Sequence, residues 1–312
     1  MKHIGIHNQR VFVIIVNWNG KRDTVVCLES LQLIHKKSLD ISIVVVDNGS
    51  VDDSVKVIKK AYPRVTVLTT GKNLGFTGGN NVGIDYALSH GADFVWLLNN
   101  DTIVDKNVLS FVQVFDDPTV GACGSKIYFA KGHEYHNDRY TNDQRGHVIW
   151  YAGGKVDWRN MYASHRGVDE VDKGQYDHPE ETQFITGCSL IVRSKVINQI
   201  GKLDDHFYLY LEDLDWNLRM QRAGWKTMYA PMSIVWHVNA GSSGRPGNQL
   251  HEYYFTRNRL FIGFKYASMH TKIALFREGV RFVFGNSIIR RRAVLDALLN
   301  RFGKQYEPNT AS

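Results

Sequence analysis

The chain has 312 residues, of which 43% are apolar and 22% are charged, which is the balance of an ordinary globular protein. Its formal net charge of +7 is carried by one end of the chain. Residues 1–250 contain 27 basic and 27 acidic side chains, whereas residues 251–312 contain 11 basic and 4 acidic ones. A basic tail on a neutral body indicates a local surface contact and argues against a nucleic-acid-binding fold, so we expect no nucleic-acid partner.

Two further features concern the compartment of the protein. The cysteines Cys27, Cys123 and Cys188 are widely spaced and lack the CxxC pairing of zinc or redox sites, so we expect reduced, structural thiols. The first apolar run, residues 11–16, is too short for the core of a signal peptide or for a membrane span. Together they predict a cytoplasmic protein.

Taken in chain order, the predicted elements begin with a β-α-β-α-β pattern. Apolar runs rich in β-branched residues at 11–16, 41–46 and 65–68 predict buried parallel strands. Residues 23–33 and 52–61, which lie between these runs, have apolar positions at helical spacing and predict crossover helices.

The alternation continues with a predicted helix over residues 79–89, a strand over 94–98 and a helix that begins near Lys106. These elements fit one doubly wound sheet, in which ligands bind at the carboxyl ends of the strands. Residues 132–181 are polar and weakly periodic, and we interpret them as a long loop or small hairpin region that shapes an acceptor pocket. The predicted elements after it are an apolar run at 184–192, a helix from Ser194, a helical stretch over 211–224 and a helical tail from His251.

Polar side chains follow three of the predicted strands. They are Asn17 and Asn19 after the first strand, Asp47, Asn48 and Ser50 after the second, and Asn99, Asn100 and Asp101 after the fourth. The amides of Asn17 and Asn19 stand where a dinucleotide-binding fold has the glycines of GxGxxG, which argues against a dehydrogenase. Taken alone, the segment at Asp47 is equally typical of a strand followed by a helix cap. Because strand ends share one edge of a sheet, the three clusters predict a single ligand crevice.

A glycine-rich segment precedes the third predicted helix. Residues 71–83 contain five glycines and three asparagines. Such a segment lets the backbone approach a ligand closely and directs the amides of a helix N-terminus at an anion such as a diphosphate. The alternative interpretation is a flexible loop before a glycine-rich helix start.

Two residues are candidate ligands of a divalent metal. Asp101 closely follows the fourth strand, and Mg²⁺ or Mn²⁺ often takes one or two carboxylates with substrate phosphates completing its shell. His237 ends an apolar run and precedes a Gly/Ser loop, residues 239–244, that would close over a diphosphate. Taken singly, Asp101 is also typical of a helix cap, and His237 of a surface or core residue.

Three carboxylates, Glu212, Asp213 and Asp215, fall within four consecutive positions. Aromatic and apolar residues flank them. Partial burial there would raise a carboxyl pKa towards the range of a general base. The alternative is a negatively charged helix N-terminus that complements the helix dipole. Each explanation can hold for a different member of the trio.

The ordered set of motifs resembles a known family. In chain order the motifs are VVVDNGSVDDS, NLGFTGGNN, LLNNDT, ITGCSLIVRS, YLEDLDWNLRMQRAGW, WH and YYFTRNRLF. Over about residues 11–262 the chain is similar to family 2 glycosyltransferases of the GT-A fold, and most of all to bacterial rhamnosyltransferase-type enzymes. The resemblance implies an α/β fold with a Rossmann-like, mostly parallel central sheet that has helices on both faces. Residues 1–250 would form the nucleotide-sugar-binding and catalytic domain, and residues 251–312 a helical basic extension.

The resemblance also implies roles for individual residues. Asp213 would be the catalytic base with Glu212 beside it, and Asp101 and His237 would hold the divalent metal. Only the final acid of the family's DXD motif remains, because the motif reads Asn99-Asn100-Asp101 here. Asp47 would contact the nucleotide base. The donor site would comprise Asn17, Asn19, Asp47, Asn48, Ser50, Asn73, Gly75, Asn80, Asn100, Asp101 and, from an Arg-Asn pair, Arg257.

The implied function is inverting transfer of L-rhamnose from dTDP-rhamnose to a glycan or lipid-linked acceptor in cell-surface polysaccharide synthesis. One alternative is a UDP-sugar donor carrying galactofuranose, GlcNAc or a similar sugar. A nucleotidyltransferase is disfavoured because residues 17–20 are not a glycine-rich, basic phosphate loop. Aromatic and arginine side chains within residues 257–302 suit peripheral contact with the inner face of the cell membrane, with a solvated basic helix as the alternative.

Overall fold

The computed structural model describes residues 9–36, 39–238 and 248–307. The strands are β1 (Gln9–Asn17), β2 (Leu39–Asp47), β3 (Thr66–Thr69), β4 (Phe94–Leu98), β5 (Thr102–Val104), β6 (Val120–Phe129), β7 (Ile149–Tyr151), β8 (Gly154–Asp157), β9 (Tyr162–His165), β10 (Glu180–Glu181), β11 (Ser189–Arg193) and β12 (Lys226–His237). The α-helices are α1 (Lys21–Gln32), α2 (Ser54–Ala61), α3 (Gly75–Ser89), α4 (Ser194–Ile200), α5 (Glu212–Arg222), α6 (Gln249–Tyr266), α7 (Met269–Phe284) and α8 (Ile288–Leu298). Short 3₁₀ helices cover Val108–Asp116 and Asn137–Arg139.

The molecule is built around one sheet, in which the strands follow the order β10-β12-β6-β11-β4-β1-β2-β3. Strands β3, β2, β1 and β4 are parallel neighbours, as the buried β-branched runs predict. Strand β11 is inserted antiparallel between β4 and β6, while β12 is parallel to β6. The predicted α/β fold with a Rossmann-like parallel core is confirmed. The complete sheet is mixed, because β5, β7, β10 and β11 each pair antiparallel with their neighbours.

The core lies on both faces of this sheet because successive side chains of a strand point to opposite sides. On one face Val13 of β1 belongs to an apolar cluster with Leu28 of α1. On the other face Ile14 belongs to a cluster with Ile84 of α3. Helix α3 approaches β1 so closely that a Cβ at Gly83 would overlap the side chain of Ile14. Full burial of a side chain such as Ile14 contributes about 1.5–3 kcal/mol to folding.

Two predicted elements differ from the structure. The helix expected near Lys106 is the 3₁₀ helix Val108–Asp116. The stretch 132–181 contains a small hairpin of β8 and β9, as one of its two interpretations predicts, but it also contributes to the main sheet, where β7 pairs with β6 and β10 pairs with β12. Strands of two to four residues are too short to leave a period in the sequence.

The predicted helical tail comprises α6, α7 and α8, and it packs against the rest of the chain. Asp215 of α5 is fully buried and accepts hydrogen bonds from Lys265 Nζ (2.7 Å) and Tyr266 Oη (2.6 Å) of α6. Leu214 and Leu260 belong to one apolar cluster that spans both parts. Across the ranges described, no helix combines the length and apolarity that crossing a bilayer requires.

Candidate active site

The ends of β1 and β2 are joined by a buried polar network. Asn17 pairs with Asp47 in the register of these strands. Its Nδ2 donates to Asp47 Oδ1 (3.0 Å) and to Ser50 Oγ (3.1 Å). The backbone N–H of Asn19 also donates to Ser50 Oγ (2.9 Å), and that of Ser50 donates to Asp47 Oδ2 (3.1 Å). The structure therefore brings these four predicted donor residues together.

A residue that the sequence interpretation missed connects this network to β4. Thr24, buried in the first turn of α1, donates from Oγ1 to Asn17 Oδ1 (2.8 Å) and accepts from Asn100 Nδ2 (3.1 Å). Gly20 has no room for a side chain, because a Cβ there would lie 2.5 Å from the Asn100 amide. Nothing in the local sequence distinguishes Thr24 from an ordinary helix residue.

The glycine-rich segment is held against the end of β2. Asn48 Nδ2 donates to the carbonyl of Gly75 (2.9 Å) and to Asn73 Oδ1 (3.2 Å). Gly75 adopts a left-handed φ of 75°, and its N–H donates to Asn73 Oδ1 (2.8 Å) at the start of α3. Asn80 is buried within α3, and its Nδ2 donates to the carbonyl of Phe76 (2.9 Å). These residues place the N-terminus of α3 beside the strand-end crevice.

Asp101 and His237 meet because antiparallel β5 and β12 pair Thr102 with His237. Asp101 Oδ1 lies 3.2 Å from His237 Nε2, and both residues are more than nine-tenths buried. Yet within the described ranges Asp101 Oδ1 and both ring nitrogens of His237 have no hydrogen-bond partner. Buried polar atoms ordinarily have hydrogen-bond partners. The unpartnered carboxylate oxygen and imidazole nitrogens are therefore suited to bind a divalent cation.

The pair does not form a complete metal cage. The described residues contain no group of three or more His, Cys, Asp or Glu side chains that could hold a metal ion. Asp23 of α1, which the sequence interpretation missed, is close enough for the Asp101 charge to reach it, and burial together with that charge raises the Asp23 pKa. Two protein ligands suit Mg²⁺ or Mn²⁺ only when phosphate oxygens or water complete the shell.

An aromatic side chain lies beside the metal candidate. Trp150 of β7 packs against His237, with ring centroids 4.6 Å apart, and against His165, with centroids 4.3 Å apart. Burial lowers the pKa of His165 to about 4, so this imidazole is neutral at physiological pH. Trp150 comes from the stretch that was expected to shape the acceptor pocket.

The carboxylates at the start of α5 have different environments. Asp213 is partly exposed, and its Oδ2 and Oδ1 accept the backbone N–H groups of Gly187 (2.9 Å) and Leu214 (2.8 Å). Glu212 is buried, and its Oε2 has no hydrogen-bond partner among the described residues. Burial raises the pKa of both carboxyl groups, and the Asp213 charge raises that of Glu212 further. Asp215 instead serves the fold through its contacts with α6.

Arg257, which is predicted to belong to the donor site, has its guanidinium hydrogen-bonded to protein groups. Its guanidinium is fully buried and donates to the carbonyls of His206 (3.0 Å), Phe207 (2.7 Å) and Gly303 (2.7 Å), and to Asn258 Oδ1 (2.9 Å). Four of the five guanidinium N–H groups are donated to protein acceptors and the side chain is fully buried, so these contacts support a structural role and give no support to a donor-binding one. The Gly/Ser loop predicted at 239–244 lies outside the described residues.

Comparison with known proteins identifies the family. The sequence profile described as glycosyltransferase-like family 2 matches residues 7–260. The chain belongs to glycosyltransferase family 2. This glycosyltransferase is 27% identical to the N-acetylglucosaminyl-diphospho-decaprenol L-rhamnosyltransferase of Mycobacterium tuberculosis (strain H37Rv) over 228 residues, which cover 70% of this chain and 72% of that one. It is 33% identical to the galactofuranosyltransferase GlfT1 of the same strain over 200 residues, 60% of each chain.

Two solved structures show the same fold. GalNAc-T7 with UDP, GalNAc and Mn²⁺ aligns with a TM-score of 0.59 at 15% identity, covering 88% of this glycosyltransferase and 55% of that chain. The mannosyltransferase PcManGT from Pyrobaculum calidifontis with GDP-Man and Mn²⁺ aligns with a TM-score of 0.52 at 14% identity, covering 94% and 74%. The GT-A fold is thereby confirmed.

Proposed function

We propose that this enzyme transfers L-rhamnose from dTDP-rhamnose, with inversion, to a glycan or lipid-linked acceptor during cell-surface polysaccharide synthesis. The observation that carries the proposal is the unsatisfied Asp101–His237 pair at the strand ends, beside the polar network and the N-terminus of α3. That arrangement suits a nucleotide diphosphate and its metal. The mycobacterial rhamnosyltransferase, whose name specifies a lipid diphosphate acceptor, supports the choice of sugar and acceptor.

The donor would lie along the crevice. Asp47 and Ser50, which are fixed by Asn17, would contact the nucleoside, and the start of α3 would face the diphosphate. Asp101 and His237 would hold Mg²⁺ or Mn²⁺. When bound, the ion neutralises charge on the departing nucleoside diphosphate.

Asp213 would act on the acceptor. Its carboxylate accepts the proton of the acceptor hydroxyl while that oxygen forms a bond to the anomeric carbon. The bond from that carbon to the donor phosphate breaks, and its electron pair leaves with the nucleoside diphosphate. A direct displacement of this kind inverts the anomeric configuration. The Gly187 N–H orients the carboxylate, and its raised pKa makes it a better base than an exposed Asp.

A UDP-sugar is the competing donor, because GlfT1 transfers galactofuranose by its name and is 33% identical. The nucleotidyltransferase alternative is not retained, since the chain belongs to a glycosyltransferase family. A panel of nucleotide sugars with and without Mn²⁺, scored by thermal stabilisation and donor hydrolysis, tests the proposal. The expected result is metal-dependent stabilisation and hydrolysis with dTDP-rhamnose. If only UDP-galactofuranose gives a response, galactofuranose replaces rhamnose as the proposed donor sugar. If no nucleotide sugar gives a response, the proposal is overturned.

We further propose that the tail docks on an anionic membrane surface, where a lipid-linked acceptor would be available. Exposed apolar side chains of α7 recur at helical spacing and form its outer face: Met269, Ile273, Phe276, Val280 and Phe284. An apolar cavity of about 200 Å³ lies between this helix, α6 and α8. Exposed Arg277 and Arg281 on the same helix provide charge that complements anionic lipid.

A further inference from the structure

The six residues before the carboxylate pair, 206–211, have an unusual backbone. Tyr208, Tyr210 and Leu211 adopt left-handed φ values of 66°, 67° and 70°. Side chains with a Cβ are disfavoured in this region, and none of the three residues is glycine. Contacts from outside the segment must therefore hold this conformation.

Helix α6 supplies those contacts through the Arg-Asn pair. Asn258 Nδ2 donates to the carbonyls of Leu209 (2.8 Å) and Tyr210 (2.8 Å), with a longer bond to that of Phe207 (3.2 Å). Arg257 Nη2 donates to Phe207 as well (2.7 Å). Asn258 Oδ1 accepts from Arg257 Nε (2.9 Å), so the two side chains, both fully buried, act as one clamp.

The clamped segment contacts both halves of the active site. At its end Leu211 precedes the two acids, and its carbonyl accepts the N–H of Asp215 in the first turn of α5 (3.0 Å). In its middle the carbonyl of Tyr208 accepts the N–H of Thr77 in the first turn of α3 (3.2 Å). Gly75 packs so tightly there that a Cβ would overlap Tyr208. A shift of the segment would therefore displace the carboxylates relative to the donor.

We propose that Arg257 and Asn258 are positioning residues, which hold segment 206–211 in its left-handed form and thereby fix the Asp213 carboxylate against the donor site. The inference rests on the proposed role of Asp213 as the base. Both side chains are fully buried and donate to backbone carbonyls, so the proposal gives neither of them a contact with substrate. Their effect is on the placement of a group that must reach the acceptor hydroxyl within hydrogen-bond distance.

The test variant is Asn258→Asp, which keeps the shape of the side chain and replaces the amide group that donates to three carbonyls with an acceptor facing them. We expect kcat per donor-binding site to fall by roughly 100-fold, while KM for dTDP-rhamnose changes little. Donor-binding sites are counted by calorimetry with dTDP and Mn²⁺, so that misfolded protein does not lower the apparent kcat. Amide hydrogen exchange should become faster in peptides covering residues 206–214.

Arg259→Lys is the matched control, because Arg259 is a buried arginine of the same helix that pairs with Glu278 instead of the segment. It should retain kcat and the exchange rates of 206–214. If Asn258→Asp does not fold, Arg257→Lys, which keeps the charge and loses donors, is measured in its place. An unchanged kcat per site in the clamp variant overturns the inference, as does a loss confined to the number of sites. Wild-type turnover reports separately on the proposed function.

Discussion

His237 Nε2 lies 3.2 Å from Asp101 Oδ1, and yet the two atoms do not form a hydrogen bond. The contact is enforced by the backbone, because the strand register places Thr102 opposite His237 and the N–H of Val238 donates to the carbonyl of Asp101 (2.9 Å). A buried imidazole and carboxylate held together without satisfying each other have free lone pairs for a third group.

Replacing either member should weaken the response to metal. For Asp101→Asn and His237→Gln we expect the Mn²⁺ concentration that gives half-maximal donor hydrolysis to rise by roughly tenfold or more. Titration of Mn²⁺ at saturating dTDP-rhamnose measures this, and Mn²⁺-dependent thermal stabilisation with dTDP gives a second readout. His90→Gln, at the far end of α3, is the control and should match the wild type. If the wild type and the three variants gave the same Mn²⁺ titration curve, Asp101 and His237 would not be metal ligands.

Asp213→Asn should remove the base and leave donor binding intact. We expect transfer to fall by about 10²–10⁴-fold with an unchanged affinity for dTDP in the presence of Mn²⁺. Because burial raises the Asp213 pKa, wild-type kcat should decline on the acid side with a midpoint above the ordinary Asp value of 3.8. The ionised form is the active one, and a raised pKa means that it is lost earlier as the pH falls.

Asp215→Asn provides the contrast in the same helix turn. This carboxylate is fully buried and pairs with Arg219 and Lys265, so its loss should lower the free energy of unfolding by about 3 kcal/mol. Its kcat per donor-binding site should stay close to the wild-type value. Thermal denaturation and site-normalised kinetics separate the two variants, and full transfer activity in Asp213→Asn would rule out its role as the base.

Glu212→Gln should stabilise the protein in a pH-dependent way. Folding raises the pKa of Glu212 above its ordinary value of 4.5. Below that pH both the folded and the unfolded chain carry the neutral acid, so its ionisation does not change the free energy of unfolding. As the pH rises, Glu212 ionises at a lower pH in the unfolded chain than in the folded one. Ionisation therefore favours the unfolded chain, and the wild type loses stability. The variant cannot ionise. Its melting temperature should exceed that of the wild type by ~3 °C at neutral pH, and this gain should vanish below pH 4.5.

The outer apolar face of α7 can be tested through two of its exposed aromatic side chains, Phe276 and Phe284. The double variant Phe276→Ser/Phe284→Ser should bind vesicles containing phosphatidylglycerol roughly tenfold or more weakly than the wild type. Wild-type binding should weaken with added salt and be low on pure phosphatidylcholine. Met232→Ser, at an exposed apolar site on β12, is the control for loss of surface apolarity. Equal binding of the double variant and the wild type to the anionic vesicles would contradict the docking face.

Much of the sheet and part of the site follow from local sequence. The β-branched runs before Asn17 and Asp47 form the parallel strands that they predict, and the polar residues at their ends bind one another in the structure. The arrangement of β11 was not predictable in this way. Whether an apolar strand is inserted parallel or antiparallel depends on which neighbours its edges meet, and that leaves no trace in its own residues.

The three neighbouring carboxylates also separate what local sequence predicts from what depends on the tertiary structure. Sequence by itself placed Glu212, Asp213 and Asp215 in a helical stretch beside apolar residues, because helix-forming tendency and flanking residues are local properties. Only the tertiary structure decided which of them serves the fold, since two of the three side chains that bind Asp215 lie 50 and 51 residues away on α6, and only Arg219 is on its own helix. Arg257, Asp101 and His237 acquire their environments likewise from chain segments that are distant in sequence. Strand-forming and helix-forming tendencies are local, whereas the satisfaction of a buried polar group depends on what folding brings beside it.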